Sequence, residues 1–502
     1  MARSTVTYAD FSGGEFGRFG LAKAPKNSFT ATNMIVTADG GLCVRPGLIK
    51  RNPAGLVAGV VHGFGNTPVP LNDIWFVQGT AVRTFSSAGD NLKTSGTALA
   101  ETPSRPVDWK TDGSTILLAS PEDKVYRITP QGGVTVPTVA GLTGSPGGGC
   151  IEIYGDRIVV GDIDGSLDYR LRFSDAADPN SWPSANFVDV GDNYYLSGLY
   201  SQRQHLLITK QNQMYILTGT LGSSMVLRKV YTGNGPLSPL QARMGQRDLM
   251  WYQHIFAKHP STFNGSIATE LRHMEYTTDD PNSGGASEFP PGHGLATVNY
   301  RTDGAVFISD TGDKAAVFVN GAWTNHTFGV GVSGYVASNG QYIYLCDGGA
   351  AGAAPNFYAW DPTLDTPGIE GGSQSRAGDD SSTALSGAVS FPEHWAKDGD
   401  EFYVRAVVVD FVKYNTGSAT NNHFDLVVNS MRRYQAGAAQ ASNTVSFDEA
   451  ASSSSATGTE ARQIFGFGEQ GMGNGYQLVF TACKGIKIRR VEVILESQPV
   501  RV

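Results

Sequence analysis

Apolar and polar residues alternate along most of this chain in short runs closed by turn residues, the pattern of half-buried β-strands rather than helices. Asp73–Phe85 (DIWFVQGTAVRTF) sets two apolar runs on either side of a Gln-Gly-Thr turn and predicts a hairpin. Thr111–Ala119 (TDGSTILLA), Thr302–Ser309 (TDGAVFIS) and Ser338–Cys346 (SNGQYIYLC) each open polar, pass through Asp-Gly or Asn-Gly, and enter an apolar strand. Units of this kind start near Val57, Val107, Cys150, Leu199, Asp248, Ala296 and Gly334 and end near Trp360, a spacing of about 43 residues, which is the length of a propeller blade. The pattern predicts an all-β chain with a β-propeller of six or seven blades over residues 57–360. Radial repetition leaves only short, protected edge strands.

Residues 361–384 (DPTLDTPGIEGGSQSRAGDDSSTA) are rich in Gly, Ser and Asp and read as a linker. Beyond it, Glu401–Phe411, His423–Val428 and Tyr476–Leu495 read as strands, predicting a C-terminal β-sandwich over 385–502, with Gln435–Gly458 as a low-complexity insertion. The first 56 residues are Gly-rich and punctuated, and form a separate N-terminal platform or attachment segment with one short helix expected across Ala24–Met34.

Composition sharpens this picture. Glycine supplies 62 of 502 residues while charged residues are 17% against a usual ~25%, so turns are many and a collagen-like or disordered chain is excluded. The net charge of −8 offers no general electrostatic footprint for nucleic acid or an anionic membrane. No apolar run is long enough to span a bilayer, and the opening MARSTVTYAD lacks a signal peptide's apolar core. Cys43, Cys150, Cys346 and Cys483 lie far apart without a C-x-x-C and read as reduced thiols.

Candidate chemistry is sparse. Gly466-x-Gly468-x-x-Gly471 matches a dinucleotide fingerprint as a string, but a strand follows it where a helix is needed, so it reads as a glycine turn. Gly144–Gly149 (GSPGGG) lacks the Lys-Ser or Lys-Thr of a phosphate loop. Neither Gly-x-Ser-x-Gly nor His-Glu-x-x-His occurs, and His254 and His259 alone do not complete a metal site. Asp162, Asp164 and Asp168 (GDIDGSLD) place carboxylates as a calcium turn would, without the full loop pattern. Lys484, Lys487, Arg489 and Arg490 form the densest basic run and read as a solvated or ion-paired face. No catalytic residue, metal or cofactor is expected, so the chain reads as a non-enzyme. Ser174–Trp182 (SDAADPNSW) resembles the Asp-box turn of sialidase-type propellers, in which a Ser/Asp turn is pinned under a Trp, but Asp178-Pro179 stands in place of the box's glycine.

A wider resemblance runs through Phe11–Ile49: FSGGEFGRFG, then Asn33-Met34-Ile35-Val36, Gly40-Gly41-Leu42 and Arg45-Pro46-Gly47. It continues at Arg172–Asp175 through Asp178-Pro179 to Trp182, at Gly198-Leu199-Tyr200 with Gln202-Arg203, and at Tyr215–Gly219. In this order the segments, about a third of the chain, resemble the tail nozzle or "tail tubular protein B" group of short-tailed bacteriophages. The resemblance implies a structural virion protein, made in the host cytoplasm. It would assemble as a homo-hexameric ring beneath the portal and adaptor, with tail fibres as further neighbours. Double-stranded DNA would pass through the ring without specific binding. Asn33, Gly40, Gly41, Arg45, Pro46 and Gly47 are then expected in the platform that meets neighbouring subunits and the adaptor. The other functional class consistent with the residues is a glycan-binding or glycan-cleaving propeller serving receptor recognition.

Overall fold

The computed structural model describes residues 2–11, 29–260, 296–360 and 385–498, less a number of short loop stretches. Among the described residues strands dominate, and the helical content is one 3-10 turn, Pro239–Gln241.

Among the described residues, seven small antiparallel sheets follow one another along residues 61–360. The first is Val61–Asn66, Ile74–Gln78, Ala81–Phe85 and Lys93–Thr94, and the second Asp108–Thr111, Ile116–Ala119, Val125–Thr129 and Thr138–Gly141. The third holds Cys150–Tyr154, Arg157–Gly161, Arg170–Phe173 and Phe187–Asp189; the fourth holds Leu196–Gln202, His205–Lys210, Gln213–Thr218 and Val226–Thr232. The fifth has three described strands, Ala242–Met244, Asp248–Gln253 and Ile255–Pro260. Ala296–Tyr300, Gly304–Ile308, Lys314–Val319 and Ala322–Thr327 make the sixth. The seventh joins Tyr335–Ser338, Ile343–Cys346 and Phe357–Trp360 to Ile49–Lys50, a strand from the other end of the chain.

From the second sheet to the seventh, the first strand of each lies against the first strand of the next, and that of the seventh lies against Val61–Asn66. Val107 N–H, entering the second sheet, donates to His62 O of the first (2.8 Å), so the series closes on itself. This is β-propeller architecture. Burial explains the order: the middle strands Ile74–Gln78, Ile116–Ala119 and Ile343–Cys346 are buried at every position, because each is covered by a neighbouring sheet on both faces. The outer strand Val226–Thr232 is mostly exposed. Apolar clusters span adjacent sheets, as with Trp75, Val77 and Val82 of the first against Val107, Ile116 and Leu118 of the second. The expected hairpin at Asp73–Phe85 forms, turning on Gly79 at φ +59, a left-handed conformation that glycine reaches without a Cβ penalty.

Two six-stranded sheets make the second body. One contains Met34–Val36, Leu42–Val44, Ile486–Gln498, Glu401–Lys413 and Thr459–Gly466, with Ala2–Ala9 also pairing Ile486–Gln498. The other contains Thr30–Thr32, Gly387–Ser390, Gly475–Lys484, Asn422–Met431 and Ala441–Glu449, with His394–Trp395 also pairing Gly475–Lys484. One hydrophobic cluster lies between them, contributed by both ends of the chain, from Phe11, Phe29 and Met34 to Phe424, Phe480 and Val493.

Several expectations are corrected here. Residues 1–56 are not a separate segment: Ile49–Lys50 completes the seventh sheet of the ring, and the other strands complete the two six-stranded sheets, where Met34, Val36, Leu42 and Val44 share one apolar cluster with residues beyond 385. Thr30–Thr32 and Met34–Val36 are strands where the end of a helix was expected; the sequence TATNMIV is rich in β-branched residues, and its two strands are edge strands of different sheets, pairing with Gly387–Ser390 and Leu42–Val44. Within Gln435–Gly458, Ala441–Glu449 is a nine-residue strand paired with Asn422–Ser430. Tyr476–Leu495 is two strands, not one, folded back at Gly485, φ +60. The 361–384 linker lies outside the described residues.

Candidate functional site

Two places gather polar chemistry: the junction between the sheet ring and the two-sheet body, and one mouth of the ring.

The junction is built on Asn33 and Arg45. Asn33 takes a left-handed backbone conformation, φ +56, which Asn tolerates better than most residues. Its Oδ1 accepts from Arg45 Nε (3.1 Å) and from the Thr327 backbone N–H of the sixth sheet (2.8 Å). Arg45 is only 1% exposed. Its Nη1 donates to Pro46 O (3.1 Å), its Nη2 donates to Thr327 O (2.8 Å), and its guanidinium lies 5.0 Å from the Phe328 ring centre. This buried cation thus rests among carbonyls, an amide and a ring face. Pro46 O accepts a second bond, from Trp360 Nε1 of the seventh sheet (3.1 Å). His326, 1% exposed, packs edge-on to Trp360 and shares a 3.0 Å hydrogen bond with Thr324. Burial and the Arg45 charge hold its imidazole well below the ordinary histidine range.

Gly40 and Gly41 turn the hairpin between Met34–Val36 and Leu42–Val44. Gly40 needs its φ of +78, and a Cβ on Gly41 would press on Ile488 O at 3.1 Å and Lys487 Cγ at 3.2 Å. Gly41, Arg45, Pro46 and Gly47 are buried, with Asn33 and Gly40 half-buried. The motif expected to face neighbouring subunits therefore joins two parts of one chain. Nothing in its spacing could have shown this, since Thr327 and Trp360 lie about 300 residues away.

The basic run is ion-paired within the chain. Lys487 Nζ meets Asp39 Oδ2 at 2.9 Å, Arg489 pairs with Asp39 and Glu460, and Arg490 pairs with Glu492. Burial pulls the Asp39 carboxyl upward, but the Thr37 hydroxyl and the Lys487 ammonium outweigh it and hold it at about 2.

At the ring's mouth, the segments entering the first strands of the second to fifth sheets converge. Arg105, Val107, Gly149, Leu196 and Leu240 from these segments, with Tyr195 and Asp162, line a cavity of about 280 Å³. Arg105 Nη1 pairs with Asp162 Oδ2 at 2.6 Å, the arginine side chain 47% exposed and the aspartate 10%. Below them the ring is stitched by carboxylates: Ile151 N–H donates to Asp108 Oδ2 (2.9 Å), and Ser201 N–H to Glu152 Oε2 (3.0 Å). Each spans neighbouring sheets and satisfies a backbone donor that a buried strand edge would otherwise leave unpaired.

The remaining sequence candidates fall elsewhere. Ser174–Trp182 forms a closed turn between Arg170–Phe173 and Phe187–Asp189. Ser181 Oγ donates to Asp175 Oδ2 (2.5 Å), Asn186 Nδ2 to Asp175 Oδ1 (2.9 Å), and the buried Trp182 indole to Pro179 O (2.8 Å). Ala177, at φ +57, takes the backbone role for which a glycine suits. Asp164, His254, Gly468 and Gly471 lie outside the described residues. Among the described residues no group of three or more His, Cys, Asp or Glu is placed to hold a metal ion. The four cysteines are buried and none forms a disulfide.

No family model and no curated protein matches this chain. Among solved structures it is similar to BamB from Moraxella catarrhalis, at 10% identity and a TM-score of 0.37 over 66% of this chain and 96% of that one. It is also similar to the computationally designed Ika8 protein, at 7% identity and a TM-score of 0.37 over 62% and 99% of the two chains. A third similarity is to PorZ, a surface component of the type-IX secretion system of Porphyromonas gingivalis, at 11% identity and 0.38 over 60% and 38%. Likenesses this distant add nothing to the reading of the sheets themselves and say nothing of activity.

Proposed function

We propose that this chain is a structural component of a bacteriophage tail, a nozzle ring below the portal and adaptor that forms the channel for genome ejection. In this reading the seven sheets are the blades of one propeller and the two six-stranded sheets are a β-sandwich. The observation that carries the proposal is the Asn33–Arg45–Pro46 junction. The residues that resemble the nozzle group are spent on fixing propeller to sandwich, with a buried cation bridging them. A protein that frames a channel under load needs its two bodies held in one orientation.

The net charge of −8 suits a wall that DNA must pass without being held, since each Lys or Arg contact with phosphate would retain it. Six copies arranged head-to-tail would close into a ring where the rotation permits. The test is the symmetry of the tail in virions. Six-fold density into which this chain fits supports the reading, and three-fold or five-fold density at that position overturns it.

A further inference from the structure

We infer that the cavity at the ring's mouth binds a neutral sugar unit, a single pyranose, between the Arg105–Asp162 pair and Tyr195. This goes beyond the tail reading and does not depend on it.

The cavity has the marks of a place shaped for an occupant. Asp162 holds a left-handed backbone, φ +55, a conformation that costs a non-glycine residue energy and tends to persist at ligand sites. Gly149 bonds it from below, its N–H shared between Gly161 O (3.1 Å) and Asp162 O (3.0 Å). A side chain on Gly149 would collide with Asp162 Oδ2 and come within 3.0 Å of Arg105 Nη2. The missing Cβ is therefore what lets the ion pair sit in the cavity wall. The carboxylate is nearly buried while the guanidinium is half in solvent, so the pair is anchored at one end and open at the other.

The lining selects the chemistry. A paired Arg and Asp are close to neutral together, so an anion or a cation gains attraction to one partner only by repulsion from the other. A polyhydroxyl ligand both donates and accepts, and can bond Asp162 and Arg105 at once without separating them. Hydrogen bonds to ionised groups are the stronger kind. Tyr195 stands beside the pair: burial and the Asp162 charge raise its phenol above the ordinary range, keeping it a neutral ring with a hydroxyl. Val107, Leu196, Pro239 and Leu240 supply apolar wall. A pyranose presents this combination, an apolar C–H face and a rim of hydroxyls. At about 280 Å³, just under the ~300–1,000 Å³ of drug-sized pockets, the space suits one ring rather than a chain, with the glycan continuing into solvent.

The experiment is saturation-transfer NMR on the full chain with glucose, galactose, mannose and N-acetylglucosamine, each at millimolar concentration, and with inorganic phosphate and ammonium as charged competitors. Transfer to the ring protons of at least one sugar is expected. Neither charged competitor should displace it, and Arg105→Ala should weaken it by at least about tenfold. Gly149→Ala, which forces the Asp162 carboxylate to move, should do the same. Arg105 is surface-accessible, so its alanine variant is expected to fold, as a melting curve would verify, and it keeps the test valid if Gly149→Ala does not fold. Absence of transfer with all four sugars overturns the inference, as does transfer unchanged in a folded Arg105→Ala variant or displacement by phosphate or ammonium. None of these results alters the tail symmetry that tests the proposed function.

Discussion

The ring and the two-sheet body are both antiparallel β-structure, yet they are assembled from opposite kinds of contact. In the ring almost every strand pairs with its neighbour in sequence, as Ile74–Gln78 does with Ala81–Phe85; the exception is Ile49–Lys50, which closes the seventh sheet. In the body the first strand pairs with the last, Ala2 opposite Ser497 and Ala9 opposite Arg490, and Thr30–Thr32 pairs with Gly387–Ser390. Non-local pairings must close long loops before they return any stability. The body therefore depends on both ends of the chain at once, whereas each sheet of the ring depends chiefly on a stretch of about forty residues. The junction at Arg45 lies where the two modes of construction meet.

The largest expected effect comes from breaking that meeting point. Arg45→Met keeps the apolar stem but removes the donors to Asn33 Oδ1, Pro46 O and Thr327 O. Asn33 Oδ1 and Pro46 O keep their second donors, Thr327 N–H and Trp360 Nε1, but hydrogen bonds from a charged donor are worth about 1.5–3 kcal/mol each, so chemical denaturation should show a loss of about 3 kcal/mol. Hydrogen exchange should quicken in both bodies; an effect confined to one would mean that the junction does not couple them.

Removing residues 1–9 should separate the bodies. Val6 and Tyr8 pack on the core from the first strand, and their loss should cost about 3 kcal/mol by burial of apolar area. Exchange protection should fall along Ile486–Gln498 and hold in Ile116–Ala119; a fall in the ring of similar size would refute the contrast.

Within the ring, Gly65→Ala would drive a Cβ to 2.6 Å from Trp109 and 2.7 Å from Trp75 Nε1, between the first and second sheets. Overpacking of this kind costs about 1–3 kcal/mol. The expected drop in melting temperature should be traceable to those two sheets by tryptophan fluorescence.

The smallest effect is set by pH. His326 is neutral in the folded protein far below the ordinary histidine pKa of about 6.5. Below that value the unfolded chain binds a proton that the folded one does not. Stability should therefore fall as pH drops from about 6.5, by at most about 1.4 kcal/mol per pH unit, and be unaffected by this group above it. His326→Phe should flatten that part of the stability profile. Asp39 acts at lower pH: its carboxyl is depressed to about 2, so its contribution is present above its unfolded pKa of about 4 and is lost as pH falls toward 2.

Much of this protein was legible in its residues because the relevant physics is local. Alternation with period two, Asp-Gly turns and a repeat of about forty residues mark strands and blades without knowledge of distant partners. The unit starts at Cys150 and Ala296 coincide with the first strands of the third and sixth sheets. The Ser174–Trp182 turn was also readable, since its bonds run among residues close in sequence. What needed the tertiary structure was every role set by a partner far along the chain. Asn33 and Arg45 read as an outward motif until Thr327 and Trp360 came to lie against them. Thr30–Thr32 read as part of a helix over Ala24–Met34 until Gly387–Ser390 paired with it. The cavity at the ring's mouth had no signature, because Arg105, Gly149, Asp162 and Tyr195 converge only when consecutive sheets pack side by side. Sequence spacing constrains what a strand is; the closing of long loops decides what it touches.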